Sequence, residues 1–287
     1  MIAIFKRELQ SYFQTSIAYI YLGFFLLVAG AFFTTGNLAV RSPQYTNFLG
    51  TFLFIFLLAI PLLTMRLFSE EKKQKTDQLL LTSPISVTEI VLGKFLAALA
   101  LYLISLAVTI IYPIFIAVFG SLAVWEVVGS YLGFIFLGAC YISIGLFISA
   151  GTENQFIAAM VCFFTLLLLL FIDPLIAVVP SGLTAGLVFA GVLAAAVGLF
   201  LYLNTRNVII TAGITALGAI VIAVLYLVKR EVFFGFIMNF LSWFSLNKRY
   251  GNFSMGILEL ESLIYYISFS GLFIFLTVRL IEKRRWN

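Results

Sequence analysis

The sequence contains no histidine, only two cysteines and few charged residues. Histidine is the commonest general base and metal ligand in proteins, so its absence removes the usual candidates for both roles. Cys140 and Cys162 lie alone in separate apolar segments, which is typical of small buried side chains and not of a zinc or redox pair. Charged residues make up only 10% of the chain. This fraction excludes a soluble domain, because its surface would need far more polar groups.

Catalytic motifs are also missing. The chain has no GxSxG, HExxH or Walker A sequence, and its acidic residues do not pair within apolar segments as a catalytic dyad would. Asp173 is interpreted as the only ionisable residue near membrane depth, at the end of an apolar segment and next to Pro174. It is either a functional carboxylate or a cap at the membrane interface. We therefore expect no catalytic, cofactor or metal site in this chain.

Apolar residues, in contrast, make up 63% of the chain. They form eight segments long enough to cross a bilayer, where a helix satisfies its own backbone. The sequence therefore predicts an all-α polytopic membrane protein with about eight transmembrane helices, an N-terminal interfacial helix and a cytoplasmic helical hairpin. The predicted spans are residues 17–35, 48–65, 90–118, 127–149, 156–172, 183–203, 208–228 and 262–280.

Two further segments have helical amphipathic patterns. Residues 1–15 place Ile2, Phe5, Leu9 and other apolar side chains on one face, which predicts a helix lying in the membrane surface. Residues 231–260 begin with apolar residues at helical spacing, which predicts an amphipathic helix at the outer face, followed by a turn-rich piece at 247–253. Gly129 and Gly133 have the spacing of a close helix contact, although a lipid-facing position fits equally well.

Residues 66–94 form the longest polar run, between the second and third spans, and carry five basic and four acidic residues. Ser69 is placed to cap a helix over 70–82, with Glu71 and Lys75 paired on its exposed side. Pro84 ends that helix, and Ser86 begins the next with the capping box Ser-Val-Thr-Glu. Such a run is either a solvated connector or a surface on which a soluble partner acts.

The distribution of basic residues predicts the orientation. With the N-terminus inside and eight spans, the inside receives twelve basic residues and the outside five. This imbalance predicts that both termini and the 66–94 hairpin are cytoplasmic. No Pro-rich or Gly/Ser-rich linker divides the chain, so residues 1–287 are interpreted as one membrane domain. The basic residues lie at span ends, which argues against nucleic-acid binding.

Three stretches resemble a known family. Residues 61–95 read PLLTMRLFSEEKKQKTDQLLLTSPISVTEIVLGKF, residues 5–20 read FKRELQSYFQTSIAYI, and residues 265–287 read YYISFSGLFIFLTVRLIEKRRWN. Together they resemble ABC transporter permeases of the type-2 export class, and within it the gliding-motility-associated permease group. The resemblance covers about residues 1–175 and 245–287. The family commonly has six spans, so the pair at 183–228 is extra.

The resemblance implies a coupling helix in the 66–94 hairpin, seated in a groove of an ATP-binding cassette ATPase subunit, with a second contact near 152–155. It implies ATP and Mg in that ATPase, and none in this chain. The other implied partners are a second permease copy or related permease, membrane lipid, and an accessory subunit with an extracellular domain. The implied location is the bacterial plasma membrane. Carried over residue by residue, the implied contact residues are Glu70, Glu71, Lys75, Thr76, Gln78, Leu79, Leu80, Thr82, Pro84 and Glu153.

The predicted function is therefore the permease subunit of an ATP-driven exporter. The apolar, aromatic-rich composition favours an amphipathic or lipophilic cargo over a charged sugar or ion. Two alternatives stay open: a stand-alone secondary transporter, and a membrane anchor for an ATPase in a mechanical, motility or cell-envelope role. A secondary transporter would have paired broken spans with buried ion-binding groups.

Overall fold

The computed structural model describes residues 1–42, 45–76, 85–206 and 208–285, apart from seven side chains within those ranges. Every regular element in this part is helical, which confirms the predicted all-α fold. Eight helical segments are long and apolar enough to cross a membrane, as predicted. They are Ser16–Leu38, Phe48–Lys73, Val87–Phe119, Val124–Gly151, Gln155–Val178, Leu183–Leu203, Thr211–Val228 and Leu260–Arg284.

The chain divides into two compact units, one of Met1–Leu168 with Leu246–Asn287 and one of Leu169–Ser245. The helices are numbered in chain order. They are α1 Ile2–Gln14, α2 Ser16–Phe33, α3 Tyr45–Phe52, α4 Phe56–Thr64, α5 Ser69–Lys73, α6 Val87–Thr109, α7 Ile111–Phe119, α8 Val124–Gly151, α9 Gln155–Val178, α10 Leu183–Thr205, α11 Val208–Val228, α12 Phe236–Phe244, α13 Leu246–Ser254 and α14 Leu260–Arg285. A π-helical turn, Thr34–Leu38, follows α2.

The core of the first unit is built around α8. Phe134 of α8 packs against Phe56 with ring centroids 4.6 Å apart and stacks on Phe52 at 5.7 Å. Tyr102 of α6 donates a hydrogen bond to the Phe134 carbonyl at 2.8 Å. Gly138 permits this approach, since a Cβ there would lie 2.5 Å from the Tyr102 ring. The buried rings and this bond fix α4, α6 and α8 against one another.

Proline positions explain two differences from the predicted spans. The third span is not one helix over 90–118, because α6 ends at Thr109 and α7 begins at Ile111. Pro113 has no N–H to donate to the carbonyl four residues earlier, which belongs to Thr109. The fifth span does not end at 172, because α9 continues through Pro174 to its end at Val178. Proline is tolerated inside membrane helices, where neighbouring groups satisfy the freed carbonyl.

The turn-rich structure predicted at 247–253 is wrong, because this segment lies in the helix α13. Tyr250 and Phe253 of α13 are buried against α8. A Cβ on Gly133 would lie 2.7 Å from the Phe253 Cβ, and one on Gly129 would meet the Phe253 carbonyl. The glycine pair therefore faces a helix, which decides between the two readings of its spacing. Burial of the two aromatic side chains outweighs the polar, glycine-containing sequence of α13.

The second unit contains the two additional spans. Gly198 of α10 lies against Thr215 of α11, and Phe189 meets Phe240 of α12 with centroids 5.4 Å apart. Gly235 has a φ of 69°, which only glycine adopts freely, and its N–H donates to the Ser181 carbonyl at 3.1 Å. The first helix of the segment predicted at 231–260 corresponds to α12. Its residues begin at Phe236, after the short 3₁₀ turn Arg230–Phe233.

Candidate functional site

Helix α1 has the predicted bounds, and two of its side chains pack against the first unit. Ile4 and Tyr12 are buried, and Ile4 lies against Gly93 of α6, where an added Cβ would be 2.9 Å from its Cγ2. The Tyr12 hydroxyl donates to the Leu63 carbonyl of α4 at 2.8 Å. Ile2, which was predicted to face the membrane, is 76% exposed, as a side chain that contacts lipid and not protein would be. The helix is therefore held to the first unit along the face that carries Ile4, and its position in the membrane surface stays a prediction.

Four charged side chains meet where α1, α5 and the start of α6 converge. The Lys94 Nζ lies 3.1 Å from Glu8 Oε1 and 2.9 Å from Glu71 Oε1. The Arg7 Nη2 lies 2.6 Å from Glu8 Oε1 and 3.0 Å from Glu71 Oε1. We call Arg7, Glu8, Glu71 and Lys94 the charge cluster. Two cations and two carboxylates thus join three elements that are far apart in sequence.

Burial makes the charge cluster more than a surface ion pair. Lys94 is 1% exposed, and the side chains of Glu8 and Glu71 are 14% and 17% exposed. Attraction between charges is much stronger here than in water, and removing one partner would strand a buried charge. Lys94 also lies inside the span Val87–Phe119. Lys94 is therefore a second ionisable residue within a candidate span, beside Asp173 at the end of the fifth.

The charge cluster shifts the pKa values of its α1 members. Burial alone would raise the pKa of Glu8, but the charge of Lys94 and the hydrogen bonds from Arg7 and Lys94 outweigh it, so the pKa lies below 4.5. The hydrogen bond with Glu8 and the neighbouring carboxylate charges raise the pKa of Arg7 above its usual value despite its partial burial. Both shifts favour the charged forms and thus the attachment of α1.

Ser149, near the end of α8, makes hydrogen bonds to the backbone of the turn that connects α4 and α5. Its Oγ accepts hydrogen bonds from the Phe68 N–H at 3.1 Å and the Ser69 N–H at 3.3 Å, and donates to the Met65 carbonyl at 3.2 Å. Helix ends leave backbone groups unpaired, and one buried hydroxyl here satisfies three of them. The end of α8 therefore supports the start of α5.

Lys72 of α5 makes a second connection to α8. Its ammonium donates to the carbonyl of Ala150, in the last turn of α8. A cation is favourable at a helix C-terminus, where the carbonyl dipoles concentrate negative charge. Lys72 is buried, although its sequence neighbours Lys73 and Gln74 are exposed. Helix α5 is thus fixed to α8 by backbone and by side-chain contacts.

Five of the ten predicted contact residues lie in the described part of the chain. Glu70 receives two bonds from Arg66, at 2.5 and 2.7 Å. Glu71 belongs to the charge cluster, so its predicted pairing with Lys75 is wrong, and Lys75 adopts a left-handed backbone with φ 57° after α5 ends. The Thr76 hydroxyl donates to the Glu71 carbonyl at 3.3 Å. Gln78, Leu79, Leu80, Thr82 and Pro84 lie outside the described residues.

Glu153 is exposed between α8 and α9, close in sequence to the Lys72 contact on Ala150. The bonds of Ser149 and Lys72 therefore bring the two predicted contact regions, 66–94 and 152–155, to one end of the first unit. Glu71 lies at the same end of the first unit, where it pairs with Arg7 and Lys94. Lys75 and Thr76 form an exposed turn after α5.

The two caps predicted for the hairpin have different outcomes. The capping box is confirmed: the Glu89 N–H donates to Ser86 Oγ at 3.3 Å and the Ser86 N–H donates to Glu89 Oε2 at 3.4 Å. Ser69 does not cap a helix, because its hydroxyl donates backward to the Met65 carbonyl. Helix α5 ends at Lys73, earlier than the predicted helix over 70–82, whose last six residues lie outside the described part.

A polar cavity of about 610 Å³ lies beside α5. Arg7, Glu8, Glu71 and Lys94 of the charge cluster line it, together with Arg66 and Glu70. Such a lining suits a polar segment of another chain better than an apolar ligand. The sequence interpretation missed Glu8, Lys94 and Ser149; the available signal was a lysine inside an apolar helix, since such a residue needs a carboxylate partner.

Residues 35–174 match the family model described as "ABC-2 family transporter protein", just under half of the chain. The matched segment contains α5, α6 and α8, and so most of the site just described. A comparison with curated proteins found no match. The family match supports an ABC transporter permease subunit, a class whose members are transport subunits and generally not catalytic.

Proposed function

We propose that this chain is the permease subunit of an ATP-driven exporter, powered by separate ATP-binding cassette ATPase subunits that act on α5. The family match supports the permease and its association with such ATPases. ATP and Mg belong to the ATPase, because this chain carries no Walker A sequence. The chain's own part is to receive force and to move its spans.

The observation that carries the proposal is the fixation of α5 on three sides. The charge cluster joins it to α1 and α6, and the bonds of Ser149 and Lys72 join it to α8. Lys72, Lys94 and Ser149 are buried, so bending these contacts apart would expose unpaired charges and backbone groups. A displacement of α5 is therefore passed to the third and fourth spans and is not lost in the connecting loop.

The proposed contact surface is the exposed turn after α5 together with the loop between α8 and α9. Lys75, Thr76 and Glu153 are exposed there, and Glu71 holds the surface in place from behind. Gln78, Leu79, Leu80, Thr82 and Pro84 complete the contact proposed from the family resemblance. Because Ser149 and Lys72 tie the two regions together, the ATPase would move them as one body.

The finer parts of the proposal rest on composition and charge. The excess of basic residues on one side of the eight spans supports a plasma-membrane protein with both termini cytoplasmic. The apolar, aromatic-rich chain supports an amphipathic or lipophilic cargo. A second copy of this chain or a related permease would complete the membrane part. The likeness to the gliding-motility-associated group rests on the quoted stretches of sequence alone.

The proposal is tested by purifying the full-length chain from its native membranes in mild detergent and reconstituting it in liposomes. We expect a second protein with Walker A and Walker B sequences to co-purify in a fixed ratio to this chain, and the complex to show measurable ATPase activity. Ser149→Ala and Glu71→Gln should each reduce that activity about fivefold without releasing the ATPase, because a loss of about 1 kcal/mol in coupling corresponds to that factor.

Ser143→Ala is the matched control. Ser143 is also a buried serine of α8, but its hydroxyl donates to the Cys140 carbonyl within the same helix. This variant should retain full activity. Unchanged activity in both test variants would remove the coupling role of α5. Purification without any ATPase, together with gradient-driven uptake, would replace the proposal with a stand-alone secondary transporter.

A further inference from the structure

A cleft lies at the end of the first span, and none of the residues that line it belongs to the charge cluster or to the proposed ATPase contact. It lies between the segment from Asn37 to Ser42 and the helix α7, and its volume is about 400 Å³. Pockets of this size hold small organic ligands. The first span ends here in the π-helical turn Thr34–Leu38, a form that is frequent at functional sites.

One wall of the cleft is aromatic. Phe115 and Phe119 of α7 line it with their ring centroids 4.8 Å apart. They are 46% and 76% exposed. Phe33 and Tyr112, stacked at 4.6 Å, support this wall, and the Phe33 centroid lies 6.5 Å from that of Phe115. The break before α7 turns these rings toward the end of the first span.

The other wall is polar and positively charged. Arg41 lines the cleft, is exposed, and makes no ion pair with any residue in the described ranges. No acidic residue lines the cleft. A buried hydrophobic or neutral ligand would leave the Arg41 guanidinium without a counter-charge, whereas an anion would supply one.

The backbone that carries Arg41 is held in an unusual conformation. Its φ is 54°, in the left-handed region that residues other than glycine rarely adopt. The Ser42 N–H donates to the Asn37 carbonyl at 3.0 Å, and the Asn37 Nδ2 donates to the Ser42 carbonyl at 3.1 Å. Strained residues held in this way cluster at ligand sites. The turn therefore fixes the backbone that carries Arg41.

We propose that this cleft binds one anionic phospholipid of the surrounding bilayer. The phosphate lies against the Arg41 guanidinium, whose planar donors match phosphate oxygens, and an acyl chain lies against Phe115 and Phe119. The two aromatic residues are exposed at the end of a candidate membrane span, so an apolar chain and a charged headgroup of one lipid match the two walls. The site goes beyond the proposed coupling and does not depend on an ATPase.

The test uses the full-length chain in nanodiscs of equal parts phosphatidylcholine and phosphatidylglycerol. After transfer to a neutral detergent, native mass spectrometry counts the retained lipids. We expect one phosphatidylglycerol per chain, in preference to phosphatidylcholine. Arg41→Gln should reduce that preference about tenfold, because a charge-assisted bond is lost. Arg41→Lys should keep part of it, and Phe119→Ala should lower retention of both lipids.

Arg230→Gln is the matched control, because Arg230 is an exposed arginine of the second unit that contacts Tyr226 with its guanidinium 4.9 Å from the ring centroid. It should retain the wild-type lipid count. Equal retention of both lipids by the wild type would overturn the proposal, as would an equal loss in Arg41→Gln and Arg230→Gln. Thermal unfolding of each variant confirms that it is folded, and Arg41→Lys provides the comparison if Arg41→Gln is not.

Discussion

Lys94 of α6 is the residue that links α1 and α5 to α6, because its buried ammonium pairs with Glu8 and with Glu71. Lys94→Met would remove the buried cation that Glu8 and Glu71 share and leave them only the half-exposed Arg7. Breaking a buried ion pair from one side costs about 3 to 5 kcal/mol. We expect a lower midpoint of thermal unfolding in detergent, measured by intrinsic fluorescence.

The matched control is Lys73→Met, which removes an exposed lysine of the same region and should change the unfolding free energy by at most about 0.5 kcal/mol. Combining Lys94→Met with Glu8→Gln and Glu71→Gln should recover most of the stability, since no carboxylate is then left buried without its cation. A single Lys94→Met variant as stable as the wild type would contradict a structural role for the charge cluster.

The lowered pKa of Glu8 predicts a pH dependence with a defined sign. The unfolded chain binds this proton near pH 4.5, above the pH at which the folded chain does, so acid favours unfolding. The stabilising contribution is complete above pH 4.5 and is lost as the pH falls through the lowered pKa. Thermal unfolding followed from neutral pH downward should show this decline.

In Glu8→Gln the part of the acid decline due to this carboxyl should disappear. Glu153→Gln, at an exposed turn position, should keep the wild-type profile. A decline that is identical in Glu8→Gln and in the wild type would assign the acid sensitivity to other carboxyl groups.

At the scale of helices, the close packing of α13 against α8 depends on Gly129 and Gly133. Gly133→Ala should destabilise the protein by about 1 to 3 kcal/mol, because the new Cβ would lie 2.7 Å from the Phe253 Cβ in a packed seam. Gly23→Ala in α2 is the matched control, since no atom lies within 4 Å of a Cβ there. That variant should be neutral or more stable by up to about 1 kcal/mol, as alanine favours helix.

Thermal unfolding of both alanine variants in the same detergent decides this point. If Gly133→Ala were as stable as Gly23→Ala, then α13 could move away from α8 at little cost. In that event its burial would not explain why a polar segment forms a helix.

The sequence predicted those helices that are defined by local pattern. The eight spans followed from apolar length, and the start of α6 followed from the capping box of Ser86 and Glu89. The sequence did not predict α13, because its helix is stabilised by burial of Tyr250 and Phe253 against a distant segment. The predicted role of Ser69 as a helix cap was wrong for the same reason. The contact that the Ser69 N–H makes is with Ser149 Oγ, which lies in the distant fourth span.

The candidate site was predictable only in its location. The polar run at 66–94 drew attention to Glu70 and Glu71, but i,i+4 spacing paired Glu71 with the wrong lysine. Its partners, Arg7 and Lys94, come from other elements. No local rule connects residues so far apart. A search for carboxylates to neutralise the lysine of the third span would have found Glu8 and Glu71.

For the whole molecule, the orientation of the first unit is open to direct measurement. Lys73 and Glu153 are exposed and proposed to be cytoplasmic, whereas Trp125 is 79% exposed and proposed to be external. A membrane-impermeant maleimide applied to intact cells should label Trp125→Cys. It should label Lys73→Cys and Glu153→Cys only after the membrane is permeabilised.

The wild-type chain is the control for this labelling, and its background should be low because Cys140 and Cys162 are buried. Labelling of Lys73→Cys in intact cells would place α5 outside, and would remove both the assigned orientation and any action of a cytoplasmic ATPase on it.

The position of Lys94 in the chain also bears on biogenesis. A ribosome synthesises Glu8 and Glu71 before it reaches Lys94, so both carboxylates have left the exit tunnel when the third span arrives at the translocon. The lysine can therefore be neutralised as that span enters the lipid, by groups that are already present. A nascent chain arrested before residue 94 would lack the buried cation of the charge cluster, so Glu8 and Glu71 would keep only Arg7 as a partner.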